Sequence, residues 1–160
     1  MSVDAESLRA AMRNWTTGVT IVTARYAGIR HGMTVSSFTS VSLEPATVLV
    51  SLQKGTRTHD LTRNSGYFGV TILTELQQAL SDRFAGRSED EDRFDDLETF
   101  HLVSATDLIH GGLAAFDCKV AAAYEAGTHT LFIGEVLAVQ SSQQSLPLVY
   151  YDRTYRKLQE

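Results

Sequence analysis

The sequence contains very little cysteine and no long apolar run. Its one cysteine, Cys118, cannot form an intramolecular disulfide, and the apolar stretch around it, LAAFDCKVAAAY, predicts a small buried side chain. No segment approaches the roughly 20 apolar residues that a membrane-spanning helix needs. The first segment, MSVDAESLRAAMRNW, carries acids and no continuous apolar run, so we expect neither a signal nor a transit peptide. These absences predict a cytoplasmic protein that does not contact a membrane.

Basic residues are also scarce. The chain has 14 Lys and Arg against 19 Asp and Glu, a formal net charge of -5, and no basic cluster interrupts this balance. A nucleic-acid partner is therefore not expected. A length of 160 residues without internal repeats predicts one domain, spanning 1–160, with one hydrophobic core.

The short motifs of phosphate binding and hydrolysis are missing as well. Neither GxGxxG nor GxxxxGK[ST] occurs, and there is no GxSxG or HExxH. The five histidines never stand four residues apart, so we expect no metal site. Any nucleotide must bind in another way.

Apolar residues at helical spacing predict a first helix over 4–15, and from Gly18 the period changes to two. The alternation predicts strands over GVTIVTARY and HGMTVSSFTSV, joined as a hairpin by the loop AGIRHG, and the β-rich run ATVLVSLQ predicts a third strand. The segment TRTHDLTRNSG predicts a short helix that ends at Gly66. After the strand YFGVTIL, the spacing of Thr74 and Gln77 predicts a capping box and a helix that runs to about Gly86.

The segment RSEDEDRFDD, residues 87–96, holds six acids and two arginines and is predicted as a solvated loop. Four further strands are then predicted: ETFHLVS, LAAFDCKVAAAYEA, THTLFIGEVLAVQ and LVYYDRTYRKL. Consecutive strands with few helices between them exclude a parallel doubly wound sheet. The pattern predicts a mainly β protein with a closed or nearly closed barrel.

Hydroxyl side chains are dense between residues 34 and 58. Their positions are Thr34, Ser36, Ser37, Thr39, Ser40, Ser51, Thr56 and Thr58. Threonine forms strands well and serine is tolerated at exposed positions, so the pattern alone can be purely structural. The functional interpretation is a flat polar ligand whose phosphate would meet Lys54 or Arg57 and nearby hydroxyls.

Several pieces of the chain occur in the order seen in one known family. They are NWTTGVTIVTA, GMTVSSFTSVSLEP, VLVSLQKGTRTHDL, FGVTIL, LSDRFAG, DRF, CKV, GTHTLFIGEV and PLVYYDRTY, from about Trp15 to Tyr155. In these the chain resembles the short flavin reductases that supply reduced flavin to two-component monooxygenases. The resemblance implies an FMN-binding split β-barrel of Greek-key type with a few flanking helices, and a homodimer whose flavin sites lie near the subunit interface.

The resemblance also implies the flavin-binding residues. Thr34, Val35, Ser36 and Ser37 would follow the isoalloxazine edge, while Ser51, Leu52 and Gln53 would line the ring or the ribityl chain. Lys54, Thr56 and Thr58 would face the phosphate, aided by the N-terminus of the short helix. Ser81, Arg83 and Phe84 would lie near the phosphate or adenine, and Thr71 and Tyr151 belong to matching pieces of the flavin site.

His129 would border the nicotinamide pocket and is the one candidate catalytic residue. Two positions depart from the family pattern, because Thr128 stands where an Asp is usual and Thr71 where an Asn is usual. These changes remove an acid beside the imidazole and an amide beside the flavin.

The implied activity is an NAD(P)H:flavin oxidoreductase that reduces FMN or FAD by hydride transfer and passes the reduced flavin to a partner monooxygenase. The motifs do not choose between NADH and NADPH, since Arg25, Arg30, Arg57 or Arg87 could each meet a 2′-phosphate. Three alternatives stay open: a flavin-binding protein without reductase turnover, a split-barrel oxidase or haem-type binder, and a carrier of an apolar ligand.

Overall fold

The computed structural model describes residues 1–87, 92–142 and 145–159. It contains three helices: α1 (Ala5–Met12), α2 (Arg57–Ser65) and α3 (Gln78–Phe84). Asp4 caps α1 by accepting a hydrogen bond from the amide of Ser7 at 2.9 Å. Gly66 ends α2 in the left-handed conformation at φ 77°, where glycine carries no steric penalty.

Twelve strands are found in these residues, and seven of them form one antiparallel sheet. The strands are β1 (Thr17–Gly18), β2 (Thr20–Tyr26), β3 (Ile29–Val35), β4 (Phe38–Leu43), β5 (Ala46–Gln53), β6 (Tyr67–Ile72), β7 (Thr99–Phe100), β8 (Leu108–Ile109), β9 (Ala114–Ala126), β10 (His129–Ser141), β11 (Val149–Tyr151) and β12 (Thr154–Arg156). The order in the large sheet is β3-β2-β6-β9-β10-β5-β4. Strands β1, β11 and β12 form a second sheet, and β7 pairs with β8.

The large sheet must curl into a nearly closed barrel. Strands β3 and β4 lie at its opposite edges, yet β3 ends at Val35 and β4 begins at Phe38. Three Cα steps span at most about 11 Å, so the two edges are held close together. Residues 36 and 37, which we call the seam, make this connection.

The core consists of two apolar clusters. One fills the barrel with side chains from its strands, among them Val50, Leu52, Phe68 and Phe132. The other, which includes Phe84, lies where α3 packs outside the sheet. Strand β3 accepts this packing because Gly32 has no Cβ, which would stand 2.7 Å from the Phe84 ring.

The structure confirms the mainly β architecture with few helices, and Cys118 is fully buried as expected. Burial raises the pKa of its thiol to about 12, so the side chain is an inert part of the core. The helix predicted over 4–15 ends at Met12, and the loop AGIRHG is in fact a tight turn at Ala27 and Gly28, both at positive φ.

Three predicted elements were wrong in extent. The strand predicted over HGMTVSSFTSV is divided at the seam into β3 and β4. In ETFHLVS only Thr99–Phe100 is a strand, because the amides of Val103 and Ser104 bond to the buried carboxylate of Asp117 at 2.9 and 2.6 Å instead of to a neighbouring strand. The segment LVYYDRTYRKL is a hairpin that turns at Asp152 and Arg153.

The capping-box residues act in a turn that precedes α3. Gln77 Oε1 accepts from the amide of Thr74 at 2.9 Å, whereas Thr74 Oγ1 accepts from Leu76, and the helix begins only at Gln78. Of the predicted acidic loop 87–96, residues 88–91 lie outside the described residues.

Candidate functional site

A groove of about 480 Å³ opens at the seam, and we call it the seam groove. Its walls come from residues 15–20, from the seam and the start of β4, and from β5; the lining residues include Trp15, Thr17, Ser36, Ser37, Phe38, Leu49 and Ser51. The volume falls in the range of small-molecule sites. The mixture of rings, aliphatic side chains and neutral hydroxyls suits a planar polar molecule.

Ser37 fixes one wall of the seam groove. Its hydroxyl donates to the carbonyl of Ser51 at 2.8 Å and accepts from the amide of Ser51 at 3.2 Å. The Ser37 side chain thus bonds to the backbone of β5 as a neighbouring strand would. The arrangement holds two of the predicted flavin residues together and positions the backbone between them.

Thr17 carries an unsatisfied hydroxyl in the same groove. Its Oγ1 is buried and has no hydrogen-bond partner, while its backbone pairs with Tyr150 in the β1–β11 ladder. Burying a hydroxyl without a partner costs roughly 1–3 kcal/mol, so such a group calls for an explanation. A ligand in the groove that supplies a donor or acceptor would remove the cost once the side chain turns its buried hydroxyl toward the groove.

A second pocket of about 170 Å³ adjoins the groove at Ser36. Thr34 Oγ1 donates to the carbonyl of Ser81 at 2.6 Å, and Ser81 Oγ lies 2.7 Å from the hydroxyl of Tyr155. That hydroxyl donates to Asp82 at 3.1 Å. The pocket therefore brings together Thr34 and Ser36, expected at the ring edge, and Ser81, expected near the phosphate or adenine.

Tyr150 and Tyr155 form the far wall of this second pocket. They are cross-strand partners with ring centroids 5.4 Å apart. Burial raises the pKa of Tyr155, with Asp82 adding to the effect, and a hydrogen bond with Tyr150 raises the pKa of Arg87, which also binds Asp82 at 3.0 Å. The pocket thus offers two phenol hydroxyls and one guanidinium.

The predicted phosphate residues lie at the start of α2. Thr56 is the N-cap: its Oγ1 accepts from the amide of His59 at 3.4 Å and donates to the carbonyl of Gln53 at 2.8 Å. Thr56 Oγ1 is also 3.8 Å from Met33 Sδ, so this helix end lies beside β3. Lys54 is paired with Glu125, their charged atoms 2.5 Å apart.

His129 begins β10 directly opposite Gln53. Its Nδ1 lies 2.9 Å from Thr128 Oγ1, so the threonine occupies the position beside the imidazole where the family pattern has an acid. The amide of Lys54 donates to the carbonyl of Thr128 at 2.9 Å. These contacts join the expected nicotinamide residue to the expected phosphate residues at one end of β5.

Besides Ser81, which is fully buried but lines the second pocket, five predicted residues have buried side chains and can offer a ligand little beyond their backbone. Val35 and Leu52 belong to the barrel core and Phe84 to the second cluster. Thr58 Oγ1 lies 2.9 Å from His31 Nδ1, and Thr71 Oγ1 accepts from the amide of Ile109 at 3.3 Å. Strand alternation explains Val35 and Leu52, because each is flanked by residues that face outward.

Two further predicted residues point elsewhere. Arg83 donates from Nη1 to the carbonyl of Asp95 at 2.9 Å. Tyr151 is exposed, with the guanidinium of Arg156 5.9 Å from its ring centroid. Neither residue lines the groove or the second pocket.

The site residues that the sequence interpretation missed are Trp15, Thr17, Tyr150 and Tyr155. All four lie in the motif pieces NWTTGVTIVTA and PLVYYDRTY. Alternation in the last hairpin distinguishes Tyr150 from Tyr151, since neighbours on a strand face opposite sides. Which of the two sides faces the groove depends on the pairing of β11 with β1, two strands that are far apart in the sequence.

Among residues 1–87, 92–142 and 145–159, no three His, Cys, Asp or Glu side chains are grouped closely enough to hold a metal ion. Each helix that the structure describes is too short or too polar to cross a membrane.

Comparison with known proteins gives one consistent result. The family model described as "Flavin reductase like domain" matches residues 12–159. The chain is 38% identical over 152 residues to the reductase component of the FADH(2)-dependent resorcinol hydroxylase of Rhizobium sp. (strain MTP-10005), covering 94% of this chain and 85% of that protein. It is 42% identical over 136 residues to the FMN reductase (NADH) SmoA of Agrobacterium fabrum, covering 84% and 75%.

Solved structures agree with the sequence relatives. The flavin reductase PheA2 in its native state superimposes with a TM-score of 0.91 at 35% identity. The alignment covers 99% of this chain and 100% of PheA2.

Proposed function

The chain belongs to the family of flavin reductase-like domains, and from that premise we propose that it is an NADH-dependent flavin reductase that supplies reduced FMN or FAD to a partner monooxygenase. The family and the split-barrel fold expected from the sequence are thereby confirmed. Relatives named as an FMN reductase (NADH) and as a reductase component of a hydroxylase support both the hydride donor and the partner.

The observation that carries the proposal is the seam groove, which is lined by neutral groups and includes Thr17, whose buried hydroxyl has no partner. The ring of a flavin has carbonyl oxygens and nitrogens on its edge and apolar faces. Such a ring suits a groove with Trp15 on one wall and the seam on another, and rotation of the Thr17 side chain toward it would give the hydroxyl a partner. The residues present therefore fit a flavin.

A bound flavin supplies a two-electron acceptor for hydride, and this chain's residues bind and orient it. We assign Thr34, Ser36 and Ser37, with the backbone of Val35, to the ring edge, and Ser51, Gln53 and the backbone of Leu52 to the ring or ribityl chain. Neutral donors near the ring stabilise negative charge that develops there without requiring a proton transfer. Support comes from the contact between Ser37 and Ser51, which keeps this wall rigid.

We assign the phosphate to the start of α2, with Lys54 and Thr56 as its side-chain partners. The first amides of a helix lack intrahelical acceptors and favour an anion. His129 lies one strand away from Gln53, where it can border the nicotinamide without taking a proton. Ser81 would serve through the second pocket, beside Thr34.

NADH rather than NADPH agrees with how the arginines are engaged. Arg25 and Arg30 both bind the buried carboxylate of Asp107, at 2.8 and 3.4 Å, and Arg87 binds Asp82. Three of the four candidate partners for a 2′-phosphate thus already have a carboxylate.

We also propose a homodimer. Helix α1 has no buried residue, and the side chains of Leu8, Met12 and Trp15 are 58%, 54% and 69% exposed. Trp15 lines the seam groove, so a second copy placed on α1 would cover apolar surface and close the groove at once. The whole chain, 1–160, is proposed as one domain, and the cytoplasm, where NADH is available, as its location.

The experiment that tests the function is steady-state oxidation of NADH and NADPH with added FMN, FAD or riboflavin. We expect oxidation that saturates with flavin and prefers NADH. The matched variant is Thr17→Val, which keeps the shape of the side chain and removes its hydroxyl. It should bind flavin more weakly while the ligand-free protein becomes no less stable. Flavin binding without NADH oxidation would instead support a flavin-binding protein without turnover.

A further inference from the structure

Glu125 lies near the tip of the β9–β10 hairpin and holds two cations that flank α2. Its Oε2 is 2.5 Å from Lys54 Nζ and its Oε1 is 2.5 Å from Arg63 Nη2. Lys54 stands just before the helix and Arg63 lies in its last turn. One carboxylate thus neutralises charge at both ends of the helix.

The Arg63 side of this cluster is anchored in the protein. Arg63 Nη2 also donates to Thr130 Oγ1 at 3.2 Å, and Thr130 is fully buried. Thr130 Oγ1 in turn lies 2.8 Å from His59 Nε2, on the buried side of α2. Arg63 is therefore held in place by groups other than Glu125, whereas Glu125 is the only ion-pair partner found for Lys54 in the described part of the chain.

The charge of Glu125 is maintained by its partners. Hydrogen bonds from Lys54 and Arg63 lower the pKa of this carboxyl, so it stays ionised at neutral pH. An ionised Glu125 both occupies Lys54 and repels a second anion brought near it. Weak surface pairs of this kind still bias an equilibrium between two anions that compete for one ammonium group.

We propose that Glu125 competes with the flavin phosphate for Lys54 and so keeps the affinity for phosphate-bearing flavins low enough for the reduced flavin to leave. This inference rests on the proposed function, in which Lys54 faces the phosphate. A reductase that supplies reduced flavin to another protein must release it. If the association rate is unchanged, each tenfold gain in affinity makes release tenfold slower.

The decisive variant is Glu125→Gln, which keeps the size of the side chain and removes its charge. We expect the dissociation constant for oxidised FMN to fall roughly two- to fivefold, and that for riboflavin, which has no phosphate, to stay unchanged. The gain should shrink as salt is added, because exposed charges are screened. Glu135→Gln is the matched control, since it removes one exposed carboxylate from the neighbouring strand β10.

A second variant identifies the partner. In a Lys54→Gln background the Glu125→Gln change should no longer improve FMN binding. An equal gain for riboflavin, a gain of the same size in Glu135→Gln, or weaker FMN binding would overturn the proposal. Binding of oxidised flavin is measured without NADH, so this outcome is distinguishable from a failure of the reductase activity itself.

Discussion

Ser37 and Ser51 are joined twice through a single hydroxyl, which donates to one backbone group of Ser51 and accepts from the other. This contact lies where the sheet passes from one edge to the other. It couples the closure of the barrel to the wall of the seam groove. A change at Ser37 should therefore affect stability and ligand binding together.

Ser37→Ala removes both hydrogen bonds. We expect a loss of about 1 kcal/mol in the free energy of unfolding, because exposed hydrogen bonds contribute little individually, together with weaker flavin binding. Urea unfolding and a flavin titration measure the two effects. Ser36→Ala, at the adjacent exposed serine, is the control for stability; an equal loss there would show that the double contact is unimportant.

Gly134 permits close packing inside the barrel. A Cβ at this position would stand 2.5 Å from the Phe68 ring and 3.0 Å from Cys118 Cβ. Gly134→Ala should destabilise the protein by roughly 1–3 kcal/mol, since both neighbours are fully buried and cannot move freely. Gly18→Ala meets nothing within 4 Å and should leave stability within about 0.5 kcal/mol of the wild type in the same denaturation experiment.

His129→Gln tests the nicotinamide pocket. We expect KM for NADH to rise roughly three- to tenfold while flavin affinity changes less than twofold, because we assign the imidazole to the nicotinamide pocket and not to the flavin. Thr128→Ala removes only the partner of Nδ1 and should have a smaller effect. A rise in the flavin dissociation constant that matches the rise in KM would contradict the assignment.

His31 should make stability depend on pH. Burial, with Arg93 and Arg57 nearby, lowers its pKa from 6.5 to about 4. The unfolded chain thus binds the proton more readily, so this contribution is complete above pH 6.5 and is lost as the pH falls towards 4. His31→Gln should lose less stability than the wild type between pH 7 and 4.5 in urea unfolding; parallel curves would refute this.

Local patterns were sufficient for most of the fold. Period-two alternation, β-rich runs and turn residues placed β2, β5, β6, β9 and β10 within two residues, because these signals reflect burial and pairing within each strand. The seam was missed because serine and threonine occur both inside strands and between them, so the residue types alone do not mark the break. Its position depends on a contact from Ser37 to Ser51 that no local pattern reveals.

The candidate site was predictable only in part for the same reason. Thr34 and Ser36, expected at the ring edge, share a pocket with Ser81, which was expected near the phosphate or adenine, and Tyr150 rather than Tyr151 lines that pocket. Lys54 was expected to meet a phosphate, and its partner Glu125 comes from a hairpin far along the chain. Ion pairs between distant segments follow from tertiary packing, so the spacing of residues along the sequence does not predict them.

The pairing of β1 with β11 has a consequence for the synthesis of the protein. Thr17 is placed by Tyr150, so the groove acquires its buried hydroxyl only when the last hairpin docks. A chain still emerging from the ribosome has the barrel strands β2 to β6 but not the wall that Tyr150 and Tyr155 provide. Flavin binding is therefore expected only after translation of residue 155, so binding would indicate that the chain has folded completely.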